Sequence, residues 1–104
     1  MKRFEIWLVN LDPAAASEIR KTRPAVIVSP DDLNPHLCTV VIVPLTTGRD
    51  YPFRPATKVE GKPGIVAVDQ IRTVDKRRLV KRIDMLDDDT AAALLDTLGQ
   101  MFAP

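Results

Sequence analysis

The residues best suited to chemistry lie at the ends of apolar segments. Arg23 precedes Pro24 and the run Ala25 to Ser29, whose apolar residues predict a strand buried on both faces. Proline excludes the α conformation from the residue before it, so Arg23 is held in extended backbone. A permanently charged guanidinium in that position can bind an anion, or it can simply solvate a loop. Thr46 similarly follows the apolar run Thr39 to Val43.

Two further polar groups lie between predicted strands. The connection 14–22 is too polar for a core and longer than a hairpin needs, which is typical of functional loops. Its candidate residues are Ser17, Glu18, Arg20 and Lys21. The second group directly follows the apolar run Ile65 to Val68 and contains Asp69, Gln70 and Arg72.

Composition indicates one water-soluble globular domain spanning residues 1–104, with 45% hydrophobic and 28% charged residues. No apolar run is long enough for a membrane span and no signal peptide is recognisable, so we expect a cytoplasmic protein with no membrane contact. The single cysteine, Cys38, excludes an intrachain disulfide and a thiolate metal site, and we expect it to be buried. The residues indicate no metal or cofactor.

The net charge of +1 conceals an asymmetry. Residues 72–82 contain six basic side chains and one acidic one, whereas residues 83–104 contain five acidic side chains and no basic one. The basic segment 72–82 can face a polyanion, or its side chains can merely solvate a strand and a turn.

The pattern of apolar runs predicts a mainly β fold with one helix. Strands are expected at 5–11, 25–29, 39–43, 53–57, 65–68 and 78–83, with a tight turn at 61–64. A C-terminal helix should begin after Asp87, because Asp88 and Asp89 suit its first turn and apolar residues then recur at helical spacing. The apolar helix positions are Ala91, Leu94, Leu95, Leu98, Met101 and Phe102. Short strands followed by one amphipathic helix predict a small β-barrel capped by that helix.

Six motifs, in order, resemble the MazF/PemK family of toxin endoribonucleases. They are Glu5–Val9, Leu11–Pro13, Ser17–Glu18, Thr22–Ser29, Val43–Thr47 and Val68–Thr73. The resemblance implies an SH3-like barrel with a C-terminal helix, a homodimer, and a cognate antitoxin as partner. It also implies metal-independent cleavage of single-stranded RNA, by attack of the ribose 2′-hydroxyl to leave 2′,3′-cyclic phosphate and 5′-hydroxyl ends. Such cleavage would inhibit translation and growth.

The same resemblance assigns roles to residues. It places the essential arginine at Arg23 and the essential threonine at Thr46, and it matches Ser17, Glu18 and Asp69 to further functional positions. Three positions depart from the family pattern. Ala16 and Phe4 replace usual glycines, and Ala67 replaces an arginine that some members use in catalysis.

The residue types favour electrostatic catalysis. The chain has one histidine, so a pair of histidines cannot supply both acid and base. Arginine is a poor base, and we therefore expect Arg23 to clamp the phosphate while Thr46 donates a hydrogen bond. Glu18 and Asp69 could act as a base, read RNA bases or pair with a neighbouring arginine. Gln70, like Ser17, is a possible catalytic or RNA-binding residue. Candidates for contacts to the RNA backbone are Arg20, Lys21 and Arg72.

Two other functions remain open at this point. The same barrel occurs in toxins that poison DNA gyrase without catalysis, although such a toxin has no need of Arg23 and Thr46 together. The missing loop glycines also make a catalytically silent binding module conceivable.

Overall fold

The computed structural model describes residues 1–11, 22–48 and 52–104, and Ser17, Glu18, Arg20 and Lys21 lie outside these ranges. The described residues form seven strands and one α-helix. The strands are β1 (Glu5–Asn10), β2 (Thr22–Ile27), β3 (Thr39–Thr46), β4 (Ala56–Val59), β5 (Lys62–Val66), β6 (Arg72–Asp75) and β7 (Leu79–Met85). The helix, α1, is Asp88–Phe102, and short 3-10 turns occur at Asn34–His36, Val68–Gln70 and Lys76–Arg78.

All strand pairs are antiparallel and follow the order β4-β5-β3-β2-β1-β7. Strand β3 organises the sheet, because one of its edges pairs with β2 while the other pairs with β6 over residues 39–42 and with β5 at residues 45–46. The two ends of this order meet: the N–H of Glu60, after β4, donates to Asp84 Oδ2 of β7 at 2.8 Å. The sheet is therefore curled into a half-barrel carrying one helix, as the predicted fold class required.

Alternate residues of the central strands build two separate cores. Val26 and Val43 face a core that includes Leu94 of α1, whereas Ala25 and Ile27 face a second core formed by the other side of the sheet. This alternation confirms that the apolar run after Pro24 is covered on both faces.

The helix begins as predicted. Asp87 caps it, accepting a hydrogen bond from the backbone N–H of Thr90 at 3.0 Å and another from its hydroxyl at 2.7 Å. Ala91 and Leu94 are buried against the sheet. Leu95 and Phe102, predicted to belong to the same apolar face, are instead 37% and 70% exposed.

Several predicted strand limits were wrong. Strand β2 begins at Thr22, so Arg23 and Pro24 lie inside it, and β3 continues through Pro44 to Thr46. Proline is tolerated at position 24 because pairing of β2 with β3 starts only at Ala25.

The second half of the sheet differs more from the predicted pattern of strands and turns. Residues 62–64, predicted to be a tight turn, begin β5, and the two-residue turn is Glu60–Gly61. Strand β6 was not predicted, because Val74 is the only buried residue in it. Cys38 is exposed rather than buried, and it lies just before β3, which begins at Thr39.

Phe4 occupies a position where the resemblance implied a glycine. Its φ is 72°, in the left-handed region that costs a residue with a side chain about 1–2 kcal/mol. Its N–H donates to the Ile27 carbonyl at 2.7 Å, its carbonyl accepts from the Leu86 N–H at 2.9 Å, and its side chain packs on the first core. These contacts hold the strained conformation in place.

Candidate active site

Arg23 and Thr46 line one cleft of about 420 Å³. The cleft lies between the β4–β5 hairpin on one side and strands β1, β2, β3 and β7 on the other. Its lining is more apolar than polar. The lining residues are Leu8, Arg23, Pro24, Leu45, Thr46, Thr47, Val59, Glu60, Lys62, Pro63, Gly64 and Ile83.

Arg23 is the second residue of β2 and lies opposite Val9 of β1. Pairing on β1 fixes its backbone, while its side chain is exposed. Its guanidinium makes no hydrogen bond or ion pair with any described residue. Arg23 therefore brings a positive charge to the cleft from a fixed backbone position, and its N–H donors are available for a ligand.

Thr46 is the last residue of β3 and lies opposite Ile65 of β5. Its hydroxyl donates only a long hydrogen bond of 3.3 Å to the carbonyl of Thr47. Gly64 of β5 is a neighbour of Thr46, since a Cβ at Gly64 would lie 3.9 Å from the Thr46 carbonyl oxygen. Because its hydrogen bond is long, the hydroxyl is available to donate to an anion bound in the cleft.

The hairpin that forms one wall is anchored at three points. The side chain of Val59 packs on the first core, and the hydroxyl of Thr57 donates to the carboxylate of Asp87 at 3.1 Å. Asp84 accepts from the N–H of Glu60, and this bond lowers the pKa of Asp84, with a second contribution from the N–H of Met85. The wall is therefore tied to both β7 and the start of α1.

Sequence reasoning missed Glu60 and Lys62, which line the cleft. The available signal was Gly61, because a residue pair ending in glycine between two β-forming segments is typical of a two-residue hairpin turn. That turn would have placed Lys62 on a strand. Proline and glycine at positions 63 and 64 instead favoured a longer turn.

Asp69 does not line this cleft. It makes a bidentate ion pair with Arg54, at 2.8 Å to Nε and 2.9 Å to Nη2, beside a different cleft that includes Phe53, Gln100 and Met101. The hydrogen bonds from Arg54 lower the pKa of Asp69. Of the alternatives weighed for Asp69, pairing with an arginine is the one seen here. Such pairing makes the carboxylate a weaker base.

The other predicted residues are dispersed. Gln70 is exposed, on the same 3-10 turn as Asp69, and Arg72 is exposed at the start of β6, opposite Ile42. Neither lines the cleft of Arg23 and Thr46. Their roles, like those of the four candidates in 14–22, stay predictions.

Much of the basic segment 72–82 is engaged within the protein. Arg77 pairs with Asp75, Arg78 donates to the Asn10 carbonyl at 3.2 Å, and Arg82 Nε lies 3.4 Å from Glu5 Oε2. Lys76 donates to the carbonyl of Asn34. These contacts favour a structural part for several of the basic side chains, whereas Arg72 and Lys81 make no side-chain hydrogen bond or ion pair with the described residues.

The described residues contain no group of three or more His, Cys, Asp or Glu side chains arranged to hold a metal ion. No helix among them is long and apolar enough to cross a membrane.

Comparison with known proteins places this geometry in a family. Residues 2–102 match the model of PemK-like, MazF-like toxins of type II toxin–antitoxin systems. The chain is 37% identical over 106 residues to the endoribonuclease PemK of Escherichia coli, covering 95% of this chain and 80% of that protein.

Two of the solved structures that resemble this chain are similar to it over nearly its whole length. A mycobacterial endoribonuclease, solved in complex with its cognate antitoxin, is 25% identical with a TM-score of 0.84, covering 100% of this chain and 97% of that one. MazF of Deinococcus radiodurans is 26% identical with a TM-score of 0.81, covering 97% and 94%. The chain therefore belongs to the family of PemK-like, MazF-like toxins of type II toxin–antitoxin systems.

Proposed function

We propose that this protein is the toxin of a toxin–antitoxin pair and acts as a sequence-specific endoribonuclease on single-stranded RNA. The observation that carries the proposal is the shared cleft of Arg23 and Thr46, in which the guanidinium has no partner among the described residues and the hydroxyl has only a weak one. Family membership and the endoribonuclease activity named for its relatives support it.

The reaction is an internal transesterification. The ribose 2′-oxygen loses its proton and forms a bond to phosphorus, the bond from phosphorus to the 5′-oxygen breaks, and that oxygen takes up a proton. The products are a 2′,3′-cyclic phosphate and a 5′-hydroxyl. No metal ion enters these steps.

Arg23 holds the scissile phosphate and stabilises the charge that develops on it, and Thr46 donates a hydrogen bond to the same group. Arginine stays protonated at neutral pH, so another group must accept the 2′-proton. Glu18 remains a candidate for that role, and Glu60 supplies the one carboxylate that the described residues contribute to the cleft.

The proposed partners are a cognate antitoxin and a second copy of the chain. A similar mycobacterial endoribonuclease was solved with its antitoxin, and MazF of Deinococcus radiodurans was solved with MazE. Leu95 and Phe102 of α1 remain exposed in a single protomer and suit burial against a partner. We propose that the protein acts in the cytoplasm, where its RNA substrate is found.

The test is incubation of purified protein with a long unstructured RNA in EDTA, followed by mapping of the fragment ends. We expect cleavage at a short recurring motif, resistant to chelator and leaving 5′-hydroxyl ends. The Arg23→Ala variant should cleave about 10²–10⁴ times more slowly. A folded dimer that leaves RNA intact, but inhibits gyrase on plasmid DNA, would replace the proposal with a gyrase poison. Gel shifts of RNA without cleavage would instead indicate a silent binding module.

A further inference from the structure

We propose that Lys62 is a second cation of the active-site cleft, which binds an RNA phosphate next to the one held by Arg23. The inference rests on the proposed function and adds a substrate-binding residue to the same site. It comes from the strand register, from the partners that each basic side chain has, and from the anchoring of the β4–β5 hairpin.

The register places Lys62 on the cleft face of β5. Lys62 pairs with Val59 and Gly64 pairs with Thr57, so these four residues share one face of the hairpin. Gly64 faces Thr46, since a Cβ there would lie 3.9 Å from the Thr46 carbonyl oxygen. Lys62 is one repeat further along the same face, about 7 Å from Gly64. Its four-carbon stem is long enough to bring the ammonium group towards an anion bound beside Thr46.

The charge of Lys62 is available. Its side chain is exposed and makes no hydrogen bond or ion pair with a described residue, in contrast to Lys76, Arg77 and Arg82. Two such cations in the described lining of the cleft, Arg23 and Lys62, face one carboxylate, that of Glu60. A cleft with this balance attracts a polyanion that contributes more than one phosphate.

The backbone beneath Lys62 is held in place. The preceding turn has both central residues at positive φ, 50° for Glu60 and 78° for Gly61, as in the tight turns that match the twist of a hairpin. Its first N–H is bonded to Asp84, and Val59, the pairing partner of Lys62, packs on the core. Lys62 therefore projects from a fixed point in the lining of the cleft, so the ordering cost on binding is confined to its own side chain.

Lys58 provides a matched control on the same hairpin. It is exposed on β4, opposite Pro63, and it does not line the cleft. Replacing either lysine by alanine removes one positive charge from an exposed position. Only the Lys62 variant removes a charge that faces the substrate.

The experiment measures kcat/KM for the wild-type protein, Lys62→Ala, Lys62→Arg and Lys58→Ala, on an RNA carrying the motif that the wild type cuts, across a series of KCl concentrations. We expect Lys62→Ala to lose about tenfold in kcat/KM, the effect of one charge-assisted hydrogen bond. The slope of log kcat/KM against log salt should also become shallower by about 0.7, the contribution of one phosphate contact on a single strand. Lys62→Arg should restore most of the loss, and Lys58→Ala should stay within about twofold of the wild type.

Equal effects of Lys62→Ala and Lys58→Ala, in rate and in salt slope, would overturn the inference while leaving the proposed function intact. An inactive wild type would instead overturn the proposed function itself. Thermal unfolding of each variant separates these outcomes from misfolding, because neither lysine is buried.

Discussion

Arg23 and Arg54 line two different clefts, and their guanidinium groups are engaged differently. In the cleft of Thr46, the guanidinium of Arg23 is exposed and has no partner among the described residues. In the cleft beside Phe53, the guanidinium of Arg54 makes a bidentate ion pair with the carboxylate of Asp69, and only 20% of the Arg54 side chain is exposed. The second cleft is the larger, at about 640 Å³ against about 420 Å³. Cleft size therefore does not identify the proposed active site.

The different pairing of the two arginines indicates which one can bind a ligand and which one has a structural role. A paired arginine already donates hydrogen bonds to a carboxylate of the protein, and a phosphate would have to compete with that carboxylate for the same N–H groups. An unpaired arginine on a fixed strand can meet a phosphate without first breaking a bond. On this account the cleft of Arg23 binds the substrate, and the ion pair of Arg54 holds the segment after Phe53 to the 3-10 turn at 68–70.

Substitutions of Thr46 and Thr57 should give the largest difference between a residue that serves cleavage and one that serves stability. Thr46→Val removes a hydroxyl that makes only a 3.3 Å bond in the protein, and we expect cleavage to fall about a hundredfold with little change in stability. Thr57→Val removes a hydroxyl that donates to Asp87, and it should mainly lower the free energy of unfolding, by about 1 kcal/mol. Single-turnover cleavage and urea unfolding would measure both. A Thr46→Val protein that cleaves at the wild-type rate would remove Thr46 from the proposed mechanism.

Acidification should weaken the structural contacts. Hydrogen bonds from Arg54 lower the pKa of Asp69, and those from the Thr90 hydroxyl and N–H lower that of Asp87. A carboxylate whose folded-state pKa is below its unfolded value contributes stability that is fully present above the unfolded value, about 4, and is lost as pH falls through the folded value. Urea unfolding at pH 7, 5, 4 and 3 should therefore show stability declining mainly below about pH 4. Equal stability at pH 5 and pH 3 would contradict this expectation.

The smallest expected effect concerns backbone strain at Glu60, which lines the cleft. Glu60 has a φ of 50°, a conformation that asparagine adopts more readily than glutamate. Glu60→Asn keeps the backbone N–H that binds Asp84 and should raise the free energy of unfolding by about 0.5 kcal/mol. Urea unfolding beside the wild type would detect the shift. A clear loss of stability would mean that the glutamate side chain itself supports the turn.

Local sequence patterns predicted the parts of the fold that depend on local chemistry. The alternation of apolar residues around Val26 and Val43 and the cap at Asp87 follow from the periods of strands and helices, so they could be read directly. Strand β6 could not, because a single buried valine gives no period and the strand exists only through its pairing with β3.

The site was predictable only in part, for a similar reason. Arg23 and Thr46 lie 23 positions apart in the sequence, and nothing in the residues themselves brings them together; only the family resemblance linked them. Lys62 reaches the cleft because the β4–β5 hairpin folds back to β7, and Asp69 is engaged by an arginine 15 residues away. Such contacts depend on how the sheet curls, which no local pattern encodes.

The most direct test of the account compares the two arginines. Arg23→Ala and Arg54→Ala remove the same side chain from the two clefts, and single-turnover cleavage of one RNA is measured beside urea unfolding of each variant. We predict that Arg23→Ala loses about 10²–10⁴ in rate with unchanged stability. Arg54→Ala should cleave within severalfold of the wild type and lose up to about 1 kcal/mol of stability. An active Arg23→Ala protein, or an inactive but folded Arg54→Ala protein, would contradict the assignment of catalysis to the cleft of Arg23 and Thr46.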